Sequence, residues 1–166
     1  MSYSAAFESA FERTLALEGG YSDDPNDPGG ETRWGISKRA YPGEDIKRLT
    51  VEQAKAIYWR DYWNRLRCGD MRGDVAAELF DTAVNMGTGV AAFLAQEACN
   101  YLGESLRVDG AIGPVTIAAL ARQASPDLLN VLNGLQLCRY VALVTQNPSH
   151  QRYARGWLKR IQVVPI

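Results

Sequence analysis

The chain has 166 residues, of which 46% are apolar and 22% charged, and its 18 basic and 19 acidic side chains nearly cancel. This length predicts one globular domain, or a domain with a small helical appendage, and the apolar content excludes intrinsic disorder. A single histidine, His150, excludes zinc-hydrolase and histidine-triad chemistry. We therefore expect carboxylates, hydroxyls or amides to do any chemistry, with no metal and no cofactor.

Three further expectations concern the surroundings of the protein. Charged residues Glu8, Glu12 and Arg13 interrupt the segment where a secretory signal needs apolar residues, so we expect cytoplasmic synthesis without a signal peptide. The longest uncharged apolar run, 111–121, is about half of what a bilayer needs, which predicts no stable membrane insertion. The three cysteines are odd in number and far apart, so we expect small buried thiols.

Helical periodicity predicts a mainly α fold. Phe7, Phe11 and Leu15 recur at i, i+4 and i+8 and predict a first helix that stops at Gly19 and has Glu18 as its last side chain. Thr50 is a predicted N-cap for a second helix running to about residue 66. Further helices are predicted at 74–85, 90–102, 114–123, 126–146 and 151–161, and a short hairpin arm at 33–37.

Prolines and glycines make 21–30 the one long segment that cannot be helical. Its carboxylates raise the possibility of a calcium loop. The EF-hand template started at Asp24 fails, because it places Pro28 at the fifth position and Gly35 where a bidentate glutamate is needed. The sequence therefore favours an acidic loop with a catalytic role over a calcium-binding loop.

Two carboxylates flank a turn suited to glycosidic bond cleavage. Glu18 stands at a helix C-terminus beside other acids, and both effects favour the protonated form that a general acid requires. Asp27, held between two prolines, would stay ionised and stabilise the transition state or activate water, with Asp24 as a competitor for this role and Thr32 orienting the water. For Asp24 and Asp27 the alternative is an Asx-turn before proline without catalytic function.

Three segments carry a resemblance to a known family. The runs EGGYSDDPNDPGGETRWGIS at 18–37, FDTAVNMGTGVAAFLAQEA at 80–98 and VDGAIGPVTIAAL at 108–120 are similar to glycoside hydrolase family 108, the N-acetylmuramidases of phage endolysins and bacterial relatives. The resemblance implies a lysozyme-like helical fold with a short β-hairpin or loop at the active site. It also implies a catalytic region at 1–90, a helical peptidoglycan-binding-like region at 91–166 packed on it, and Glu18 as the catalytic acid.

Several residues outside the acid pair are candidates for substrate binding. Tyr21 and Trp34 flank the acidic loop and are placed to stack on sugar rings, although either could equally staple the loop to a helix. Asn85 stands at a helix end and either binds an N-acetyl group or caps the helix. In the second helix, Tyr58, Trp59, Tyr62 and Trp63 form two i, i+4 pairs, of which we expect one to face the core, unless all four are internal.

Charge is distributed unevenly along the chain. Residues 1–46 hold nine acids and four bases, a net charge of −5, whereas the last nineteen residues hold bases only. Such a tail either binds an anionic polymer or is an ordinary solvated helix face. Nucleic-acid binding is excluded, because the bases form no continuous stripe interleaved with aromatic residues.

These features together predict a muramidase that cuts the β-1,4 bond between N-acetylmuramic acid and N-acetylglucosamine in the glycan strands of peptidoglycan. The alternatives are a lytic transglycosylase and a non-enzymatic protein that binds the wall or assists secretion. Without a signal peptide, we expect the protein to act on the cell wall after release through a holin or an exporter.

Overall fold

The computed structural model describes residues 3–17, 20–23 and 30–161. It divides into two compact units, Met1–Arg65 and Leu66–Ile166. Both consist mainly of helices, and the mainly α fold predicted from periodicity is confirmed.

The first unit begins with α1, Ala5–Leu17. Phe7, Ala10, Phe11 and Thr14 are buried at i, i+3, i+4 and i+7, whereas Leu15 is half-buried. The predicted helix is confirmed, and its buried face is centred slightly away from Leu15. The ring of Phe7 packs edge-on against Trp59 and Trp63 at 4.9 and 5.3 Å, so an aromatic cluster anchors α1.

A small antiparallel hairpin confirms the predicted arm. Its strands are β1, Thr32–Arg33, and β2, Ile36–Ser37, with Thr32 paired to Ser37 and Arg33 to Ile36. Trp34 and Gly35 form the two-residue turn with φ of 53° and 73°. Positive φ at both central residues belongs to a type I′ turn, whose twist matches the strands, but it is strained for tryptophan.

Helix α2, Val51–Tyr58, starts at the predicted N-cap. The Gln53 backbone N–H donates to Thr50 Oγ1 at 3.2 Å, and the Thr50 N–H donates to Gln53 Oε1 at 2.9 Å. This reciprocal pair is a capping box, in which two otherwise unpaired donors of the first turn are satisfied.

The second helix changes its winding after α2. Trp59–Trp63 is a π-helical turn, and the Asn64 N–H reaches back five residues to the Trp59 carbonyl. Of the four aromatic residues in this helix, Tyr58 and Trp63, five residues apart, are therefore fully buried. Trp59 and Tyr62 are half-buried. The prediction that one i, i+4 pair faces the core is wrong, because the wider turn rotates the following residues.

The second unit is built around α3, Gly73–Met86, and α4, Thr88–Tyr101, which are separated by Gly87. Both are buried over most of their length, and the alanines of α4 allow a close approach to its neighbours. Helices α5, Pro114–Arg122, α6, Ser125–Gln146, and α7, Gln151–Leu158, follow. The predicted bounds of α3, α4, α5 and α6 agree within two residues, and α7 ends three residues early.

Helix α6 bears on the expectation of no stable membrane insertion, which stays a prediction. Within the part of the chain that the structure describes, it alone is long and apolar enough to pass for a membrane span by length and composition, with 28% of the relevant window buried. The prediction rested on the longest run without a charged residue. Helix α6 has a high mean hydropathy although it contains Arg139. Length and composition alone do not distinguish a span from a helix of a soluble fold.

The cysteines also depart partly from expectation. All three are free thiols; Cys68 and Cys99 are buried, but Cys138 on α6 is exposed. Burial raises the pKa of Cys68 to about 12 and that of Cys99 to about 11. The prediction of buried thiols is therefore wrong for Cys138, whose helix turns another face inward.

Candidate active site

The predicted acids fall in the segments that are not described. Glu18, Asp24 and Asp27 lie outside the described residues. The structure does describe the flanks of these segments, which are α1 up to Leu17, residues 20–23 and the chain from Gly30 onward.

An isolated bridge closes the base of the acidic loop. The Ser22 N–H donates to the Thr32 carbonyl and the Thr32 N–H donates to the Ser22 carbonyl, both at 2.8 Å. The Thr32 hydroxyl donates to the Gly30 carbonyl at 3.0 Å, which leaves its oxygen lone pairs as acceptors. Because the bridge continues into β1, the hairpin holds the two ends of the acidic loop together.

A side-chain hydrogen bond adds a second link between the same two ends. The Tyr21 hydroxyl donates to Glu31 Oε1 at 2.8 Å, and the neighbouring carboxylate raises the pKa of Tyr21 to about 12. The Tyr21 ring is 42% exposed, so the hydrogen bond orients a ring face that solvent still reaches. Glu31 was not predicted from the sequence, because a lone glutamate ten residues away from Tyr21 gives no periodic signal.

Trp34 stands at the tip of the hairpin and is tied to α2. Its carbonyl accepts a hydrogen bond from the Tyr58 hydroxyl at 3.0 Å, and the Arg33 guanidinium lies 5.6 Å from the centre of its ring. The buried indole N–H of Trp34 has no hydrogen-bond partner among the described residues. The backbone of Trp34 thus staples the hairpin to a helix, one of the two roles predicted, and its contact with substrate stays a prediction.

Asp61 on the π-helical turn has hydrogen-bond partners on two different side chains, more than any other described acid of the first unit. It accepts hydrogen bonds from Arg60 Nε at 2.7 Å and from the Tyr41 hydroxyl at 3.1 Å. The Arg60 guanidinium holds the pKa of this carboxyl below its usual range. Asp61 is thus ionised at neutral pH and unsuited to donate a proton to a leaving group.

Asn85 belongs to the second unit. Its side-chain oxygen accepts a hydrogen bond from the Tyr140 hydroxyl at 2.8 Å. Gly87 is the residue at the C-cap of α3, and its N–H donates to the Ala83 carbonyl. The side chain of Asn85 therefore connects α3 to α6, and its predicted contact with an N-acetyl group stays a prediction.

A buried amide organises the loop before α5. Gln96 is 2% exposed; its amide nitrogen donates to Asp109 Oδ1 and the Ala111 carbonyl, and its oxygen accepts from the N–H groups of Asp109 and Gly110. Gly110 has φ of 72°, and a Cβ there would lie 3.2 Å from the Gly89 carbonyl oxygen. The loop is thus fixed against α4, beside a pocket of about 310 Å³ whose polar lining includes Arg107 and Asp109.

Comparisons with known proteins match both parts of the chain. Residues 11–87 match the family model described as glycosyl hydrolase 108, and residues 90–162 match the one described as predicted peptidoglycan domain. The gap between the models lies beside the predicted boundary after residue 90, and the division into regions 1–90 and 91–166 stays a prediction. No protein with a curated description matches the chain.

A solved structure shares the fold. The chain is similar to SagA of Brucella abortus, with 29% sequence identity and a TM-score of 0.78. The match covers 93% of this chain and 88% of that one. The lysozyme-like helical fold implied by the sequence resemblance agrees with this likeness.

Proposed function

We propose, on the premise that this chain belongs to glycosyl hydrolase family 108 and carries a predicted peptidoglycan domain, that it is a muramidase. The family makes it a glycoside hydrolase with peptidoglycan as its substrate. The bond we assign is the β-1,4 linkage between N-acetylmuramic acid and N-acetylglucosamine. The observation that carries the proposal is the ordered pair of domain matches over 11–87 and 90–162.

Glu18 is the proposed general acid. It follows directly on Leu17, the last residue of α1, where the partial negative charge of a helix C-terminus disfavours ionisation of a carboxyl group. A protonated carboxyl group transfers its proton to the glycosidic oxygen as the bond breaks. The fully paired Asp61 is ionised and offers no competing acid in its part of the first unit.

Asp27 is the proposed partner of Glu18, with Asp24 as the alternative. In this role the carboxylate stabilises positive charge on the sugar or activates the attacking water. The bridge from Ser22 to Thr32 supports the assignment, because it constrains both ends of the segment that carries Asp24 and Asp27. Thr32, whose hydroxyl already donates to Gly30, would accept a hydrogen bond from the water.

Three further residues are proposed to contact the glycan strand. The exposed ring of Tyr21 and the indole of Trp34 offer faces for sugar stacking, and Asn85 offers an amide for an N-acetyl group. The pocket lined in part by Arg107 and Asp109 is the proposed wall-binding element of the peptidoglycan domain.

The test compares clearance of purified peptidoglycan by the wild-type chain, Glu18→Gln and Glu12→Gln. Glu12 is exposed on α1 and serves as a matched control. We expect Glu18→Gln to lose at least about a hundredfold in rate, the usual scale of general acid catalysis, and Glu12→Gln to keep it. Equal clearance by wild type and Glu18→Gln would remove Glu18 from the mechanism.

Mass analysis of the released fragments separates the competing activities. A muramidase leaves fragments with a reducing N-acetylmuramic acid, whereas 1,6-anhydro ends indicate a lytic transglycosylase. Wall binding without any released fragment would indicate a non-enzymatic wall-binding protein.

A further inference from the structure

Helix α6 buries polar side chains and exposes apolar ones in the same stretch. Asn133, Gln136 and Tyr140 are buried at i, i+3 and i+7, with exposures of 3, 1 and 4%. Leu137 and Val141 are 37 and 58% exposed, and both line a shallow depression together with Cys138 and Ala142. In a soluble helix the apolar stripe normally faces the core, so the reversed arrangement marks a surface that contacts something else.

Helix α7 extends this apolar surface. The rings of Tyr140 and Trp157 stack at 4.8 Å between the two helices, and beside them lies a groove of about 300 Å³. Leu137, Val141 and Leu158 line the groove, and Leu158 is 54% exposed. We call these two helices with their groove the α6–α7 surface.

Beyond the first turn of α6, the charged residues of this region are all basic. After Asp127 the sequence contains no acidic residue, while it contains five basic ones. Arg160 is used internally, since it is paired with Asp81 at 2.8 Å and both side chains are more than nine-tenths buried. The other four basic residues are exposed. Arg139 lies on α6, and the other three recur at i, i+3 and i+7 along α7 and its C-cap; they are Arg152, Arg155 and Lys159.

We propose that the α6–α7 surface docks on a bilayer of anionic lipids, with its apolar side chains at the acyl boundary and its cations among the headgroups. An apolar helix face with basic residues and a tryptophan beside it has the composition of an interfacial helix. Anionic headgroups complement the part of this surface that follows Asp127, which carries cations and no acids. The inference goes beyond the proposed function and does not depend on it.

The charge pattern and the buried polar residues of α6 argue against two alternatives, a second copy of the chain and insertion of α6 as a membrane span. A second copy of the chain would bring the same four cations against each other, which disfavours a symmetric contact. Insertion of α6 as a span would place Asn133 and Gln136 in hydrocarbon and break the bond between Tyr140 and Asn85. Docking keeps these groups inside the fold and leaves only the exposed side chains to contact lipid.

The experiment measures partition of the full chain onto vesicles, without any peptidoglycan. We expect binding to vesicles of phosphatidylglycerol and phosphatidylethanolamine that weakens with added salt, and little binding to vesicles of phosphatidylcholine. Binding to neither kind of vesicle, or equal binding to both, would overturn the proposal.

Two matched pairs of variants locate the surface. Val141→Asn should weaken binding about tenfold, whereas Val115→Asn, at a valine 70% exposed on α5, should not. Replacing Arg152, Arg155 and Lys159 by glutamine should weaken binding about a hundredfold, at roughly fivefold for each cation removed. Replacing Arg39, Lys47 and Arg65 by glutamine removes the same charge elsewhere, and an equal loss there would contradict the assignment.

Cys138 provides an independent readout on the surface itself. It is the exposed thiol, and the raised pKa values of Cys68 and Cys99 slow their labelling. A polarity-sensitive dye on Cys138 should shift its emission to the blue when anionic vesicles are added. An unchanged emission despite vesicle binding, or self-association that Val141→Asn abolishes, would show that the surface has another occupant.

Unchanged thermal melting of each variant excludes misfolding, and Leu158→Gln replaces Val141→Asn if the latter unfolds.

Discussion

Gln96 shows how much one buried polar side chain can determine. Its amide satisfies donors and acceptors from Asp109, Gly110 and Ala111, all on the loop that leads into α5. Because both ends of the amide are used, no apolar residue of similar shape can replace it without leaving backbone groups unpaired. The amide also holds the pKa of the Asp109 carboxyl below its usual range.

Gln96→Met should destabilise the second unit by about 2 to 4 kcal/mol, since the methionine fills the space but leaves buried loop groups without partners. Urea unfolding followed by circular dichroism measures the change. Gln146→Met, at an exposed position on α6, is the control and should lie close to wild type. A wild-type midpoint for Gln96→Met would mean that water replaces the amide.

At the scale of the element, local residues fix the start of α2, whereas tertiary packing fixes the π-helical turn that follows it. The capping box at Thr50 starts the helix from nearby residues alone. The change of winding at Trp59 depends on tertiary packing, because it brings Tyr58 and Trp63 into the core together. The packing of these rings against α1 offsets the poorer hydrogen-bond geometry of a wide turn.

Thr50→Ala should lower the free energy of unfolding of the first unit by about 1 kcal/mol, because the helix loses its N-cap acceptor. Thr50→Ser keeps the hydroxyl and should stay near wild type. Tryptophan fluorescence in urea reports mainly on this unit, which contains three of the four tryptophans, Trp34, Trp59 and Trp63. If both variants lose the same stability, the methyl group of Thr50 and not its hydroxyl supplies the stabilisation.

At the scale of the whole molecule, both units hold carboxylates with lowered pKa. Arg60 lowers the pKa of Asp61 in the first unit, and Arg122, which donates two hydrogen bonds to Glu104, lowers the pKa of Glu104 in the second. Such a group is ionised in the folded protein at pH values where the unfolded chain already binds a proton. Its contribution to stability is therefore complete above the unfolded pKa and lost as pH falls through the folded pKa.

The free energy of unfolding should stay level between about pH 7 and 5 and decrease as pH falls from about 5 toward 3. Urea midpoints at constant ionic strength measure this dependence. Glu104→Gln should reduce the slope, because one of the titrating groups is removed. A midpoint at pH 3 equal to that at pH 6 would show that these ion pairs contribute nothing.

The sequence by itself determined most of the helices of this protein and its resemblance to glycosyl hydrolase family 108. Helix bounds followed from i, i+4 spacing and the start of α2 from its N-cap, because both depend on residues within a few positions. The identity of Glu18 as a candidate acid also came from the sequence.

Only the tertiary structure decided which faces are inward. That Asn133 and Gln136 are buried while Val141 and Cys138 are exposed could not be read from α6, since partners from α3 and α7 distant in the sequence settle it. The sequence equally showed no sign of the hydrogen bond between Tyr21 and Glu31, or of the Trp34 indole N–H that has no partner among the described residues. The physical reason is the same in each case: a side chain's burial is set by the groups packed around it, and local periodicity contains no information about those groups.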